Sequence, residues 1–376
     1  MAKDLDQELM RRAIALGEKG DPSPNPHVGS LVANAEGEVL GEGFHAATGL
    51  DHGEIAALRA AGDKARGQTL YVSLEPCNHQ GRTPPCVDAI LAAGIKRVVI
   101  GCRDPNPRVA GGGVERLRNA GVEVVEGVLE TEAQALIKAW SKFITSGASY
   151  LTLKLAISLD GRIATRTGAS KWITGAESRQ RVQSLRASHD AVMVGVNTVL
   201  ADNPRLTVRD VPGRSPVRVI VDSKLRIPLS AQVVQTAAQT PTCVVTTAAA
   251  PKPQEEALLA AGVRVIRVAP TAEGRCDPQH MLRELAAREV VSVMCEGGSE
   301  LAGSLLANPL VDELHVFVAP VLLGPRGRPG AVDWAGPEHP SDAPRIDPPR
   351  WELCGADAHV WGPLKYAKKA ARTNPG

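Results

Sequence analysis

His52, Cys77 and Cys86 stand in separate segments, and a chain that holds one metal ion with all three must fold so that those segments meet. Cys77 and Cys86 bracket the run Pro76-Cys77-Asn78-His79-Gln80-Gly81-Arg82-Thr83-Pro84-Pro85-Cys86, and His52-Gly53-Glu54 opens an apolar-periodic stretch upstream. One imidazole and two thiolates suit a tetrahedral Zn²⁺ and leave its fourth position for water. Glu54 lies two residues beyond His52, near enough to handle protons without being a ligand. A metal with an open position is a reagent, so this half of the chain reads as a hydrolytic enzyme.

Local signals place the ligands on element ends. Residues 51–62 have a helical pattern with Gly62 as a stop, and Asp51 with Glu54 fits a capping box, which is a purely structural use of Glu54. Thr83 suits the N-cap of a second helix with Pro84 at its first position, so Cys86 falls in the first turn, where the helix dipole favours thiolate. Cys77 follows the strand-like stretch 69–74. The cysteines have two other uses: a disulfide, or a closed structural zinc with His79 as fourth ligand. The start of the chain carries no signal-peptide pattern, which points to a reducing cytoplasm where disulfides rarely persist. His79 is only two residues beyond Cys77, so the open site is the expectation.

Zinc-activated water attacking an amidine-like ring carbon, with Glu54 carrying a proton to the departing amine, is nucleobase-type deamination. His-x-Glu, Pro-Cys and a second Cys are its kit. The usual two-residue spacing between the cysteines is replaced here by eight residues, so the loop 78–83 must bulge beside the metal. His79 and Arg82 in that loop suit a substrate carrying a phosphate monoester. The 43 basic residues nearly balance the 41 acidic ones, and aromatics are only 3%, too few for a single-strand stacking platform. No apolar stretch reaches the roughly 20 residues of a membrane span. The expectation is a soluble cytoplasmic enzyme acting on a small molecule, without nucleic acid or membrane as partner. A homo-oligomer is left open.

A length of 376 residues favours two domains. Strand-like and helical stretches alternate from residue 28 to 125, an additional helix is expected over 130–145, and 146–149 reads as a linker. The pattern restarts at 150–156, with further strands at 190–196, 217–222, 242–246, 263–268 and 290–295. An apolar strand over 313–322 closes the series, 325–350 reads as a Pro-rich loop, and 365–376 as a basic tail. The domains are thus expected at 1–146 and 150–367.

Signals in the second half are weaker. Val293-Met294-Cys295-Glu296-Gly297-Gly298-Ser299 is a buried strand entering a Gly-Gly turn and a helix; it suits a phosphate, or is simply a tight turn. Asp160-Gly161 is a turn after a strand, 197–207 is a polar loop, and Trp172 stands among polar residues, unless it belongs to the core.

The spaced Cys motif, preceded by Pro24-Asn25-Pro26-His27-Val28-Gly29, closely resembles the bifunctional riboflavin-biosynthesis family RibD, and with the second-half segments the resemblance spans most of residues 4–324. It implies an α/β chain: a cytidine-deaminase-like layered sheet domain followed by a dihydrofolate-reductase-like domain. It implies His52, Cys77 and Cys86 as zinc ligands, Glu54 as proton shuttle, and Asn25 and His45 as lining the pyrimidine pocket. Where the family usually reads His-Ala-Glu, this chain has Gly53, which loosens the first turn by up to about 1 kcal/mol. In the second domain NADPH would meet Ala156, Trp172, Thr198, Asp202, Ser223 and the turn Gly298, Ser299, Glu300, Leu301, Ala302, Gly303, Ser304. The substrate would meet Ser170, Arg186, Leu206, Arg209 and Glu296, with the two arginines on its phosphate. Lys154 and Asp202 are the candidate proton donors. The implied activity is zinc-dependent deamination of 2,5-diamino-6-(ribosylamino)pyrimidin-4-one 5′-phosphate, then NADPH-dependent reduction of the ribosyl group to ribityl. Two other readings remain: a zinc deaminase of RNA or free nucleosides, and a structural zinc module fused to a reductase.

Overall fold

The computed structural model describes residues 2–80, 84–107, 109, 112–324 and 330–367, and the chain divides into two compact units between Ala148 and Ser149. Each unit is built around one sheet.

In the first unit the strands are β1 Gly29–Ala33, β2 Val39–Phe44, β3 Thr69–Leu74, β4 Arg97–Cys102 and β5 Glu123–Glu126, in the order β2-β1-β3-β4-β5. β1 runs antiparallel to both neighbours, while β3, β4 and β5 are parallel. Every residue of β1 is buried, and all but the first of β3; since side chains alternate, both faces must be covered. Helices Ala2–Gly17 and Glu130–Leu136 form one covering group; Gly53–Ala61, Cys86–Ala92 and Gly112–Asn119 form the other. Gly43 lets Gly53–Ala61 lie directly on β2, since a Cβ there would sit 2.4 Å from the Ala57 amide. Asp6 fastens the first helix to the sheet by accepting two bonds from Arg97, at 2.8 and 2.7 Å, and one from the Tyr71 hydroxyl at 2.8 Å.

The second unit has β6 Tyr150–Ser158, β7 Ala191–Gly195, β8 Val217–Val221, β9 Thr242–Thr246, β10 Arg264–Arg267, β11 Ser292–Cys295 and β12 Glu313–Ala319. These pair in parallel in the order β10-β9-β8-β7-β11-β6-β12. Beyond β12 the sheet turns antiparallel: β15 Asp357–Lys365 pairs with β12, and β13 Arg345–Ile346 and β14 Arg350–Cys354 pair with β15. These three strands correct the expectation that an apolar strand over 313–322 ends the elements. β12 stops at Ala319, and β15 escapes a hydropathy reading because His359, Gly362 and Pro363 interrupt its apolar residues.

Three smaller expectations change. The helix over 130–145 is two helices, Glu130–Leu136 and Lys138–Ser146, parted at Ile137 (φ −104°). The helix Val196–Asp202 takes up the first half of the polar loop expected over 197–207. The second ligand helix starts at Cys86 with Pro85 at its N-cap; Arg82 and Thr83 lie outside the described residues. No helix among the described residues is long and apolar enough to cross a membrane.

Candidate active site

In the first unit, three element ends converge. His52 is the N-cap of Gly53–Ala61, Cys86 opens Cys86–Ala92, and Cys77 follows β3. His52 Nδ1 is 3.2 Å from Cys86 Sγ and 3.7 Å from Cys77 Sγ. The Cys86 amide donates to Cys77 Sγ at 3.3 Å and the Val87 amide to the Cys77 carbonyl at 3.3 Å, so the helix start grips the loop that carries Cys77. All three ligand atoms lie within 4.8 Å of one another, and among the described residues no fourth metal-binding side chain joins them. His79 is exposed and outside the group. The Cys86 thiol and His52 hydrogen-bond to the Cys77 sulfur and draw it toward thiolate despite its burial, while Cys86 is driven the opposite way. One imidazole and two sulfurs, one of them drawn toward thiolate, fit Zn²⁺ with an open position.

Glu54 is not part of a capping box. The N-cap is His52, and Asp51 instead pairs with Arg59 at 2.5 Å. The Glu54 side chain points into the interior, 3% exposed and beside Cys86, where burial pushes the carboxyl up to about 6. Such a group both takes and gives a proton near neutral pH. His45 is buried, and burial pulls its imidazole toward the neutral form. Its Nδ1–H donates to the Asp51 carbonyl at 2.9 Å, so Nε2 accepts from the Asn25 amide at 3.0 Å. This orients the Asn25 carboxamide, and the His45 and His52 rings meet edge to face at 5.2 Å. Asn25 and His45 are thus brought to the metal ligands.

Gly53 has a tighter role than loosening a helix. A Cβ there would sit 2.9 Å from the Val28 carbonyl oxygen, which accepts the His45 amide at 2.9 Å. Gly53→Ala should therefore lower stability by about 1–3 kcal/mol, overriding the helix-propensity gain of up to about 1 kcal/mol. A urea titration of the two proteins reads this; a higher midpoint for Gly53→Ala would refute the packing argument.

In the second unit a cleft of about 1880 Å³ opens at the carboxyl ends of β7, β8 and β11, where open α/β sheets bind ligands. The volume exceeds the roughly 300–1,000 Å³ of a single-ligand pocket. Ala156, Ser170, Trp172, Thr198, Asp202, Leu206, Arg209, Ser223, Glu296, Gly298, Ser299, Glu300, Leu301 and Ser304 all line it. Ala302 and Gly303 do not: Ala302 is buried, and Gly303 packs closely against the backbone of Asp333, which borders the cleft. Gly298, at φ +77°, supplies the turn from which helix Ser299–Ala307 starts. Trp172 is 70% exposed with the Arg179 guanidinium 4.8 Å over its ring, which rules out the core reading.

Arg186 also lines the cleft but is committed elsewhere. Its Nε and Nη2 donate to the two Glu296 oxygens at 2.7 and 3.0 Å, and Nη1 donates to the Thr207 carbonyl at 2.6 Å. Of the two arginines expected at a phosphate, only Arg209 is exposed. Lys154 stands 3.9 Å from Glu296, and burial pulls its ammonium below the usual lysine range. Burial pushes the Glu296 carboxyl up, yet the Arg186 and Lys154 charges bring it below the usual range. Lys224, Arg226 and Arg275 add positive charge to the wall that carries Ser223. Sequence reasoning missed them; their one signal is that Lys224 and Arg226 follow the carboxyl end of a strand.

Residues 3–102 match the family model described as the cytidine and deoxycytidylate deaminase zinc-binding region, and residues 149–360 match the RibD C-terminal domain. The riboflavin biosynthesis protein RibD of Aquifex aeolicus is 46% identical over 327 residues, 86% of this chain and 89% of that one. The chain belongs to the RibD family. The structure of Acinetobacter baumannii RibD matches with a TM-score of 0.86 at 37% identity, over 97% of this chain and all (100%) of that one. A Thermotoga maritima structure matches with a TM-score of 0.84 at 36% identity, over 98% of this chain and 100% of that one. That protein is described as a diaminohydroxyphosphoribosylaminopyrimidine deaminase/5-amino-6-(5-phosphoribosylamino)uracil reductase. As in other RibD chains, a cytidine-deaminase-like zinc-binding domain precedes a dihydrofolate-reductase-like reductase domain.

Proposed function

We propose that the chain carries out two consecutive steps of riboflavin biosynthesis, with a deaminase domain at 1–146 and a reductase domain at 150–367. The observation that carries this reading is the convergence of His52, Cys77 and Cys86 beside a buried Glu54, on one chain with the Lys154–Glu296 cleft. The first substrate is 2,5-diamino-6-(ribosylamino)pyrimidin-4-one 5′-phosphate, which loses its 2-amino group as ammonia.

His52, Cys77 and Cys86 hold zinc, which supplies the Lewis acidity that makes water nucleophilic near neutral pH. Asn25, oriented by His45, hydrogen-bonds the pyrimidine and presents its amidine carbon. Glu54 accepts the proton of the attacking water and passes it to the departing nitrogen, and its raised carboxyl value suits both duties. His79, with Arg82 in the same loop, meets the 5′-phosphate.

In the second domain Trp172, Thr198, Ser223 and the turn at Gly298 would hold NADPH, which when bound would supply the hydride that C1′ of the ribosyl group needs. The basic wall of Lys224, Arg226 and Arg275 complements the dinucleotide phosphates. Glu296, braced by Arg186, accepts hydrogen bonds from the sugar hydroxyls, and Lys154 Nζ delivers the proton to the ring oxygen as the C1′–O bond opens. Arg209 is the exposed cation that meets the substrate phosphate. The test is a two-step assay on the full chain. Ammonia should appear without NADPH, and NADPH should be consumed only once deaminated product has formed. Ammonia release that requires NADPH, or release from cytidine or tRNA rather than the pyrimidine phosphate, would overturn this reading.

A further inference from the structure

Glu352, Cys354 and His359 form a second group of metal-binding side chains, on the antiparallel end of the second unit's sheet and with no part in the cleft. Their ligand atoms all lie within 4.8 Å of one another. Glu352 and His359 face each other across the β14–β15 ladder, and Cys354, two residues on, shares the face of Glu352. His359 Nδ1 is 2.9 Å and Cys354 Sγ 3.8 Å from Glu352 Oε1. Donors bound at zinc distances in a tetrahedron are roughly 3.4–3.7 Å apart, so Cys354 is nearly at that distance from Glu352, His359 Nδ1 must draw back from Glu352 by about half an ångström, and Cys354 Sγ and His359 Nδ1 lie within 4.8 Å of each other.

The imidazole is oriented as ligating histidines are. His359 is 0% exposed and stacks on Phe317 at 4.1 Å and on Trp361 at 4.4 Å, which fixes the ring plane. Its Nε2 is 3.1 Å from His315 Nδ1, and His315 Nε2 is 3.7 Å from Glu313 Oε1. As the side chains stand, Nδ1–H donates to Glu352; shifting His359 to its Nε2–H tautomer, which donates to His315 while His315 Nε2–H turns to the Glu313 carboxylate, frees the Nδ1 lone pair for an ion. A second histidine and a carboxylate behind the first is the outer support that tunes metal-bound imidazoles.

We propose that Glu352, Cys354 and His359 bind a borderline-soft divalent cation of the zinc type, clamping the β14–β15 hairpin. One sulfur, one nitrogen and one carboxylate oxygen select for such an ion over magnesium or calcium. Binding expels the Cys354 thiol proton to solvent and displaces Arg181, half-exposed, whose Nε now lies 3.4 Å from Glu352 Oε1.

The test uses full-length protein carrying Cys77→Ser and Cys86→Ser, which removes the first group and makes the outcome independent of the deaminase reading. Titrated with Co²⁺, this variant should still bind about one ion per chain with a thiolate-to-cobalt absorption band, and added Zn²⁺ should raise its melting temperature. Adding Cys354→Ser should abolish the band and the thermal shift. Glu352→Gln, at a partly exposed position that tolerates exchange, should weaken binding at least tenfold. A chain with Cys77 and Cys86 both replaced that binds no cobalt, or a band that survives Cys354→Ser, would overturn the proposal.

Discussion

Glu54→Gln should slow ammonia release by roughly 10²–10⁴-fold, the usual worth of one positioned proton-transfer group. Zinc content and NADPH-dependent reduction of pre-deaminated substrate should stay at the level of the parent chain. The isosteric amide keeps the volume of a side chain that is almost wholly buried, so the fold should survive and the loss should fall on kcat. Glutamine cannot accept the proton of the attacking water or deliver one to the leaving nitrogen. If the zinc group were only structural, the same substitution would leave every activity unchanged. Assaying the two steps separately, with metal content measured on the same preparation, distinguishes these outcomes. Deamination at the parent rate in a zinc-loaded Glu54→Gln chain would remove Glu54 from the chemistry.

The first site was legible because its chemistry is compressed into two short motifs at element ends. Once folded, His52, Cys77 and Cys86 converge with Glu54 buried near them, and the capping-box alternative for Glu54 falls. The partners that set orientation were not legible: the Asp51 carbonyl behind His45, and the Val28 carbonyl pressed against Gly53, are backbone groups that no side-chain pattern marks. In the second domain the cleft is assembled from the ends of several parallel strands, so its residues are scattered along the chain. Resemblance found most of them. Charge alone put Arg186 on a phosphate, because nothing in the sequence couples positions 186 and 296, which are 110 residues apart. Resemblance also carried Ala302 and Gly303 along with a contiguous turn, and these two do not line the cleft. The hairpin at β14–β15 was lost for a related reason: His359, Gly362 and Pro363 interrupt the apolar alternation by which strands are recognised.

Arg186→Met should destabilise the second unit by about 3–5 kcal/mol, the usual effect of removing one partner from a buried ion pair. Both side chains of the Arg186–Glu296 bridge are less than a tenth exposed, at 8% and 9%, so water cannot replace the lost bonds. The pH dependence of stability should change sign as well. In the parent chain the Glu296 carboxyl lies below its ordinary value, because the Arg186 and Lys154 charges outweigh burial. That contribution is present above the unfolded value of about 4.3 and is lost as pH falls through the depressed folded value. Without Arg186, burial dominates and the folded value rises above the unfolded one, so stability should fall as pH increases toward neutrality. Urea midpoints of the second unit's transition at pH 5.5 and 7.5 (about two units apart, within which a raised carboxyl titrates) would read this directly. Pairing the change with Glu296→Leu should recover much of the stability, since it removes the stranded carboxylate. Reduction should be lost in the double variant, which lacks the Glu296 carboxylate, while ammonia release continues. A double variant that still reduces its substrate would show that Glu296 braces the cleft without touching the sugar.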